Sequence, residues 1–229
     1  LAGIFIKRED ELYQHSANQL GGWLGARQFR VTEKRDESSL VTSFVFKPID
    51  EQSVISYKSG QYLGIKVEPK NHEFLEIRQY SLSDKPNGNS YRISVKREAI
   101  GIPGVVSNHL HDNLNLDDIV DIYPPAGDFH YIERNAPVVL ISAGVGVTPM
   151  QSMLEMLADK QFDKPVFYLH ACESVEQHSF NQRVSLLSEK INLQHHTWYR
   201  DANGIENPEN DANVQQGFMN LALLKSQLP

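Results

Sequence analysis

Arg78-Gln79-Tyr80-Ser81 is a polar string inside a stretch that otherwise alternates like a strand. From Glu76 to Ser83 the alternation puts Ile77, Gln79 and Ser81 on one face and Arg78, Tyr80 and Leu82 on the other. A guanidinium beside an aromatic ring and a hydroxyl fills a hydrophobic core badly. It suits a large flat anion, with a cation for phosphate, a ring for stacking and amide and hydroxyl groups for a polar ring edge. A solvated barrel strand is the plain alternative.

A second string, Ala143-Gly144-Val145-Gly146-Val147-Thr148-Pro149, follows the continuous apolar run Pro137 to Ser142. Such a run reads as a strand buried on both faces of a parallel sheet. Thr148 fits a helix N-cap, Pro149 the first helical position, and Gln151 completes a capping-box pattern. Strand, glycine turn and helix start place backbone N–H groups at the sheet's carboxyl edge, where a dinucleotide pyrophosphate binds. The turn lacks the third glycine of the common fingerprint, so any tight strand-to-helix turn also fits it. Gly104-Val105-Val106-Ser107 opens a third helical pattern whose first amides could face a phosphate; an ordinary capped helix fits as well.

Other reactive side chains form weaker patterns. His109 with His111, His195 with His196, and His170 near Cys172 lack the spacing of a structural zinc site, so no protein-bound metal is expected. Ser81 and Ser142 lack the Gly-x-Ser-x-Gly elbow of hydrolases. Cys172 reads as a small buried residue, with a cofactor contact as the alternative. Glu173 could accept a ribose hydroxyl and favour NADH, whereas Arg200 could meet a 2′-phosphate and favour NADPH.

Two textures of chain must position these groups. Residues 21–133 carry short alternating segments: Leu40–Phe46, Gln61–Val67, the Arg78 stretch, Tyr91–Arg97 and Ile119–Tyr123. Lys85-Pro86-Asn87-Gly88 is a hairpin signal among them, and the whole predicts a small antiparallel six-stranded barrel. Residues 134–229 alternate strand and helix, with strands at Val166–Ala171 and His195–Arg200. Between them runs a helix near Ser179 that carries Phe180, Val184, Leu187 and Ile191 on one face, the rhythm of an open parallel α/β layer. Asp201 to Gln216 reads as a polar loop. Residues 1–20 read as the end of an amphipathic helix with charges from Lys7 to Glu11, broken by Gly21-Gly22. Both ends read as cut from a larger protein.

The totals limit the rest. The chain has 229 residues, enough for two modest domains, and its net charge of −7 comes with scattered basic residues, which argues against nucleic acid. One cysteine excludes an intrachain disulfide framework. No apolar run nears the roughly 20 residues that span a bilayer, so a cytoplasmic protein without membrane contact is expected.

Taken together, Arg78-Gln79-Tyr80-Ser81 and Gly144-Val145-Gly146-Val147-Thr148-Pro149 resemble the ferredoxin-NADP reductase superfamily. Gln61 to Gly64, Ser94 to Arg97, Pro125 to Phe129 and His196 to Arg200 make bacterial flavohaemoglobins, the nitric oxide dioxygenases, the nearest likeness. The resemblance implies an FAD-binding β-barrel followed by a nicotinamide-binding α/β domain. FAD would be held by Tyr62, Arg78, Gln79, Tyr80, Ser81 and Gly104 to Ser107 (with Val105 and Val106), and NAD(P)H by Gly144 to Pro149. Ile4 to Glu9 resembles the end of the globin domain, where Glu9 belongs to the proximal network of haem b. Without the haem-ligating histidine, which this sequence lacks, Glu9 has no partner to polarise. The implied relay runs from NAD(P)H through FAD to haem in a globin domain of the same polypeptide, where nitric oxide and oxygen become nitrate. Ile100 to Pro103 lengthens the loop before Gly104 relative to the family pattern. The family's Cys-Gly-Pro segment is absent, so the second sheet is expected to lack its last strand. A stand-alone flavin oxidoreductase with another acceptor, and a non-catalytic interaction module, are the alternatives.

Overall fold

The computed structural model describes residues 18–69, 74–99, 101–201, 203–204, 213–219 and 225. Glu9 and the helix read over residues 1–14 lie outside them.

Strands β1 (Arg27–Asp36), β2 (Val41–Pro48), β3 (Tyr62–Val67), β4 (Glu76–Ser81), β5 (Tyr91–Lys96) and β6 (Ile119–Ile122) form one sheet in the order β4-β3-β6-β1-β2-β5. Every pairing in it is antiparallel. Lys85 to Gly88 does not join β4 and β5 into a regular hairpin. The two strands sit at opposite ends of the order and meet through a single bridge, Leu82 to Ile93, which closes the barrel. Inside, Phe29, Val31, Phe44, Phe46, Leu63, Ile65, Ile93 and Ile122 are buried, the inward half of each period-2 pattern. Helix α1 (Val105–Asn113) adds Val106 and Leu110 to the same core, plugging one end.

β1 has no counterpart among the predicted segments. Its sequence, RQFRVTEKRD, offers only Phe29 and Val31 to the core while charges fill the outer face. What holds it is a hairpin pairing with the adjacent β2 and a long-range pairing with β6, which periodicity over so few apolar residues cannot reveal.

The second sheet is parallel, β10-β9-β8-β7, built from β7 (Val138–Ala143), β8 (Val166–Cys172), β9 (Leu193–Tyr199) and β10 (Val214–Gln216). Helix α2 (Val147–Asp159) and helix α3 (Asn181–Ser188) pack on it. Phe180, Val184, Leu187 and Ile191 are all buried with Leu140, Leu154 and Val166. Two expectations need correction. β7 is not buried on both faces: Leu140 packs against α2, while Val139 and Ile141 on the opposite face are 41% and 44% exposed, with β7 at the end of the order among the described residues. The polar loop from Asp201 ends in a strand, since Val214–Gln216 pairs with Thr197–Tyr199. Among the described residues no helix is long and apolar enough to cross a membrane.

The two sheets are joined through several close contacts. Ser39 N–H donates to Glu176 O at 2.8 Å, Ser152 Oγ of α2 donates to Asp84 O at 2.5 Å, and the Ser179 and Ser38 hydroxyls meet at 3.0 Å. Gly60 sits at φ +109 against Met153, where a Cβ would fall 2.6 Å from Met153 Cε.

Candidate functional site

The barrel rim and the start of α2 enclose a cleft of about 540 Å³. Its walls are Arg78, Gln79, Tyr80 and Ser81 from β4, Ser94 and Lys96 from β5, Gly104 to Ser107 opening α1, and Val145, Gly146, Thr148 and Pro149 opening α2. Three strings separated by dozens of residues thus face one space.

Each wall has a local cause. β4 lies at the end of the sheet order, so both its faces reach the rim: Arg78 and Gln79 are exposed, Tyr80 and Ser81 half-buried. Arg78 Nη1 pairs with Glu76 Oε2 at 2.5 Å and donates to Ile77 O at 2.9 Å, and a guanidinium has further N–H donors for an anion. Tyr80 packs on the barrel core; burial pushes its phenol up to about 12 against the opposing pull of the Arg78 charge, so it is neutral at physiological pH. Gly104 precedes α1 and donates its N–H to Glu98 O at 2.9 Å, and a Cβ there would meet Ser107 Oγ at 2.5 Å. No side chain caps α1, whose first-turn amides have no acceptor within the helix. Despite the lengthened loop before it, Gly104 lines the cleft.

Gly144 to Gly146 forms a 3₁₀ turn that runs directly into α2 at Val147. Thr148 is therefore not the N-cap: Gly146 is, and Thr148 Oγ1 donates to Val145 O at 3.2 Å instead. Nor is Pro149 the first helical position, since the tight turn starts the helix two residues earlier. Val147 is the exception among the turn residues: it is 1% exposed, within the α/β core, and walls neither cleft. A Cβ built on Gly144 or Gly146 meets no atom within 4 Å, so the free protein leaves open space beside both. A turn kept bare against empty space fits a ligand that must approach the backbone closely.

Tyr62 does not border the cleft. It pairs with Ser81 across the β3–β4 ladder, exchanges backbone hydrogen bonds with Ala126 at 2.8 and 3.0 Å, and lays its ring against Gly127. It backs the wall that Ser81 presents.

A second cleft of about 730 Å³ opens at the carboxyl ends of β7, β8 and β9. Gly144, Val145, Cys172, Glu173, Gln177 and Arg200 are on its walls, and Val145, Lys96 and Glu98 border both spaces. The edge beyond the carboxyl ends of parallel strands is where open α/β sheets bind nucleotides. Glu173 and Arg200 form an ion pair at 3.3 Å, and the Arg200 guanidinium lies 5.5 Å from the Phe218 ring centre. Cys172 is 9% exposed, as the buried reading expects, and borders this cleft. Burial, with the Glu173 charge, pushes its thiol up to about 12, which keeps it protonated.

Behind the strand ends lie imidazoles. Ser142 Oγ meets His170 Nδ1 at 2.9 Å, the His170 and His178 rings are 5.1 Å apart, and His178 Nδ1 meets Tyr199 Oη at 2.5 Å. Burial lowers His170 to about 4; burial, then the neighbouring His170 and His195, lowers His178 to about 3, so both are neutral. Among the described residues no cluster of three or more His, Cys, Asp or Glu could hold a metal ion. Ser94, Lys96 and Glu98 were not among the predicted site residues; their signal was the polar alternate face of β5, Arg92, Ser94 and Lys96.

Comparison with known proteins agrees with this geometry. Residues 28–131 match an oxidoreductase FAD-binding domain family and residues 140–229 an oxidoreductase NAD-binding domain family. The FAD/NAD-binding domain of nitric oxide dioxygenase from Vibrio cholerae O1 biovar El Tor is 49% identical, with a TM-score of 0.79 over 86% of this chain and 80% of that one. The chain belongs to the flavohaemoglobin family, as a reductase part.

A flavohemoprotein of Vibrio cholerae serotype O1 is 50% identical over 98% of this chain, and the chain spans 55% of its length. The flavohemoglobin of Malassezia yamatoensis, solved with FAD and haem, shares the fold at 23% identity and a TM-score of 0.73, covering 92% of this chain and 56% of that one. The barrel and parallel sheet are the FAD- and NAD-binding domains of this family, an oxidoreductase architecture. The residues present fit FAD and a nicotinamide dinucleotide: a cation, a neutral phenol, two helix N-termini and a bare glycine turn around adjoining clefts.

Proposed function

We propose that this chain is the NAD(P)H-oxidising half of a nitric oxide dioxygenase, feeding electrons to haem b in a globin domain of the same polypeptide. The observation that carries the reading is the shared cleft, in which Arg78 to Ser81 face Val145, Gly146, Thr148 and Pro149. FAD, when bound, supplies the step from a two-electron hydride donor to a one-electron acceptor. The protein's own groups do the holding. Arg78 and the first amides of α1 balance phosphate charge, Tyr80 offers a flat neutral ring, and Ser81 a hydroxyl at its edge. Tyr62 supports Ser81 from behind. Gly144 to Pro149, including Val147 from within the core, shapes the turn on which the nicotinamide dinucleotide lies.

In this reading residues 1–20 are the close of the globin and its linker, residues 21–133 the flavin domain and residues 134–229 the nicotinamide domain. Glu9 stands on the haem side of the relay, and the protein works in the cytoplasm.

Two measurements test the proposal. FAD-loaded protein mixed anaerobically with NADH or NADPH is expected to lose its yellow absorbance; a protein that retains no FAD, or FAD that neither nucleotide bleaches, overturns the reductase reading. The product of the complete reading frame is expected to show haem absorbance and to consume nitric oxide with oxygen and NAD(P)H. A haem-free product would assign the electrons to another acceptor.

A further inference from the structure

We propose that Arg92 is a positioning residue for hydride transfer: it ties the barrel to α2 through the buried Glu155 and so sets how the two walls of the flavin cleft face each other. The proposal rests on the reductase reading above.

Arg92 leaves β5 two residues before Ser94, on the same face of the strand, and its side chain is only 11% exposed. On the barrel side its Nη2 donates to Ser83 O at 2.5 Å and its Nε to Ser83 Oγ at 3.2 Å. Ser83 Oγ meets Ser94 Oγ at 2.8 Å, and Ser94 is part of the cleft wall. On the other side the same guanidinium enters the α/β domain. Its Nη2 lies 4.0 Å from Glu155 Oε1, and its central carbon lies 5.7 Å from the Phe180 ring centre. One cation rooted in the barrel thus lies buried where the two domains meet, its Nη2 4.0 Å from Asp84 Oδ1 on the barrel side as well as from Glu155 on the α2 side.

Glu155 is the matching group. It is 4% exposed and lies on α2 seven residues after Thr148, so the cleft-lining start of α2 and the Arg92 contact are two turns apart on one helix. Arg183 from α3 grips it with Nε and Nη2 at 2.7 and 2.6 Å, and Gln151 Nε2 donates to it at 3.1 Å. Burial alone would raise this carboxyl. The Arg183 hydrogen bonds and charge, the Arg92 charge and Gln151 outweigh it and hold Glu155 ionised.

A carboxylate fixed this firmly within its own domain is a rigid anchor, and Arg92 is what reaches it from the flavin side. Shifting that contact would tilt α2 as a rod and move Gly146 and Thr148 relative to Tyr80 and Ser81. Of the other links between the barrel and α2, Ser152 Oγ donates to the Asp84 carbonyl at 2.5 Å, a neutral bond that carries no charge to Glu155. The Lys85–Asp159 pair has side chains 38% and 54% exposed, which weakens its grip.

The test uses FAD-loaded protein and stopped-flow reduction by NADH. Arg92→Met keeps the aliphatic stem, and Glu155 keeps Arg183, so the fold and the flavin are expected to persist. The limiting rate of flavin reduction is expected to fall about tenfold or more, since a misplacement near 1 Å costs up to about a hundredfold. Half-saturating NADH should change by no more than about twofold, the mark of lost alignment rather than lost binding. Arg92→Lys, which keeps the cation, should restore part of the rate, and Lys85→Ala should leave it unchanged. A wild-type limiting rate in flavin-loaded Arg92→Met overturns the proposal, and so does an equal fall in Lys85→Ala, which would indicate general loosening. Should Arg92→Met lose its flavin, Glu155→Gln probes the same contact from α2, and an unchanged limiting rate there overturns the proposal too. Failure of the wild type itself to be reduced would instead strike at the reductase reading.

Discussion

Replacing Gly146 by leucine should separate the demands of the ligand from those of the fold. Gly146 has φ −62 and ψ −4, a right-handed conformation open to any L-residue. A Cβ there meets no protein atom within 4 Å. As the N-cap of α2 it makes no side-chain cap, so the substitution costs the protein at most about 1 kcal/mol. That corresponds to a shift of about 2–4 °C in melting temperature for a chain of this size. The new side chain would stand in the cleft and hold a phosphate away from the start of α2. A favourable helix-terminus contact is worth up to about 2 kcal/mol, and each 1.4 kcal/mol is about tenfold in affinity, so half-saturating NADH should rise roughly ten- to thirtyfold. The assays are anaerobic flavin reduction against NADH concentration and melting followed by flavin fluorescence. An unchanged NADH dependence in a variant that melts like wild type would refute the assignment. A fall of more than about 8 °C, over 2 kcal/mol, would show instead that the glycine serves the fold. Gly144 is a poorer probe, because its φ of +51 would add backbone strain of about 1–3 kcal/mol to any substitution.

Arg78→Ala should weaken FAD retention by about 1.5–3 kcal/mol, the range for hydrogen bonds to charged groups, with little change in melting because Arg78 is half exposed. Fluorescence titration with FAD checks it, and undiminished retention would take Arg78 out of the site. Gly60→Ala should destabilise by about 2 kcal/mol or more, since φ is +109 and the methyl would fall 2.8 Å from Phe129 O as well as against Met153; a denaturation midpoint equal to wild type would contradict it. The buried imidazoles predict acid sensitivity. His170 and His178 sit near 4 and 3 when folded against an ordinary 6.5, so the unfolded chain binds their protons first. Their stabilisation is complete above pH 6.5 and is lost as pH falls, toward 4 for His170 and 3 for His178, at up to about 1.4 kcal/mol per pH unit per group. Urea melts between pH 7 and 5 should show the decline, and His178→Phe should flatten it; parallel slopes would refute the account.

What the sequence determined by itself was short-range. Period-2 alternation marked five of the six barrel strands, and the apolar run with its glycine turn marked the parallel layer, because side-chain direction repeats within a few residues. Arg78 to Ser81 and Gly144 to Pro149 were legible for the same reason, since each string carries its ligand chemistry in adjacent positions. Decisions that depend on distant residues belonged to the tertiary structure. β1 is completed by pairing with β6 about ninety residues on, β10 by pairing with β9, and β7 exposes Val139 and Ile141 on the face opposite the one that Leu140 packs against α2. Helix α2 starts at Val147 because a 3₁₀ turn feeds it, which sends Thr148 back to Val145 and Val147 into the core. Tyr62 was drawn behind the wall by Ala126 and Gly127, more than sixty residues on. Above all, the cleft itself required β4 and α2 to be brought face to face, and the Arg92–Glu155 contact that spans their domains has no local signature in either strand or helix. Local periodicity encodes which way a side chain points; only packing decides what it meets.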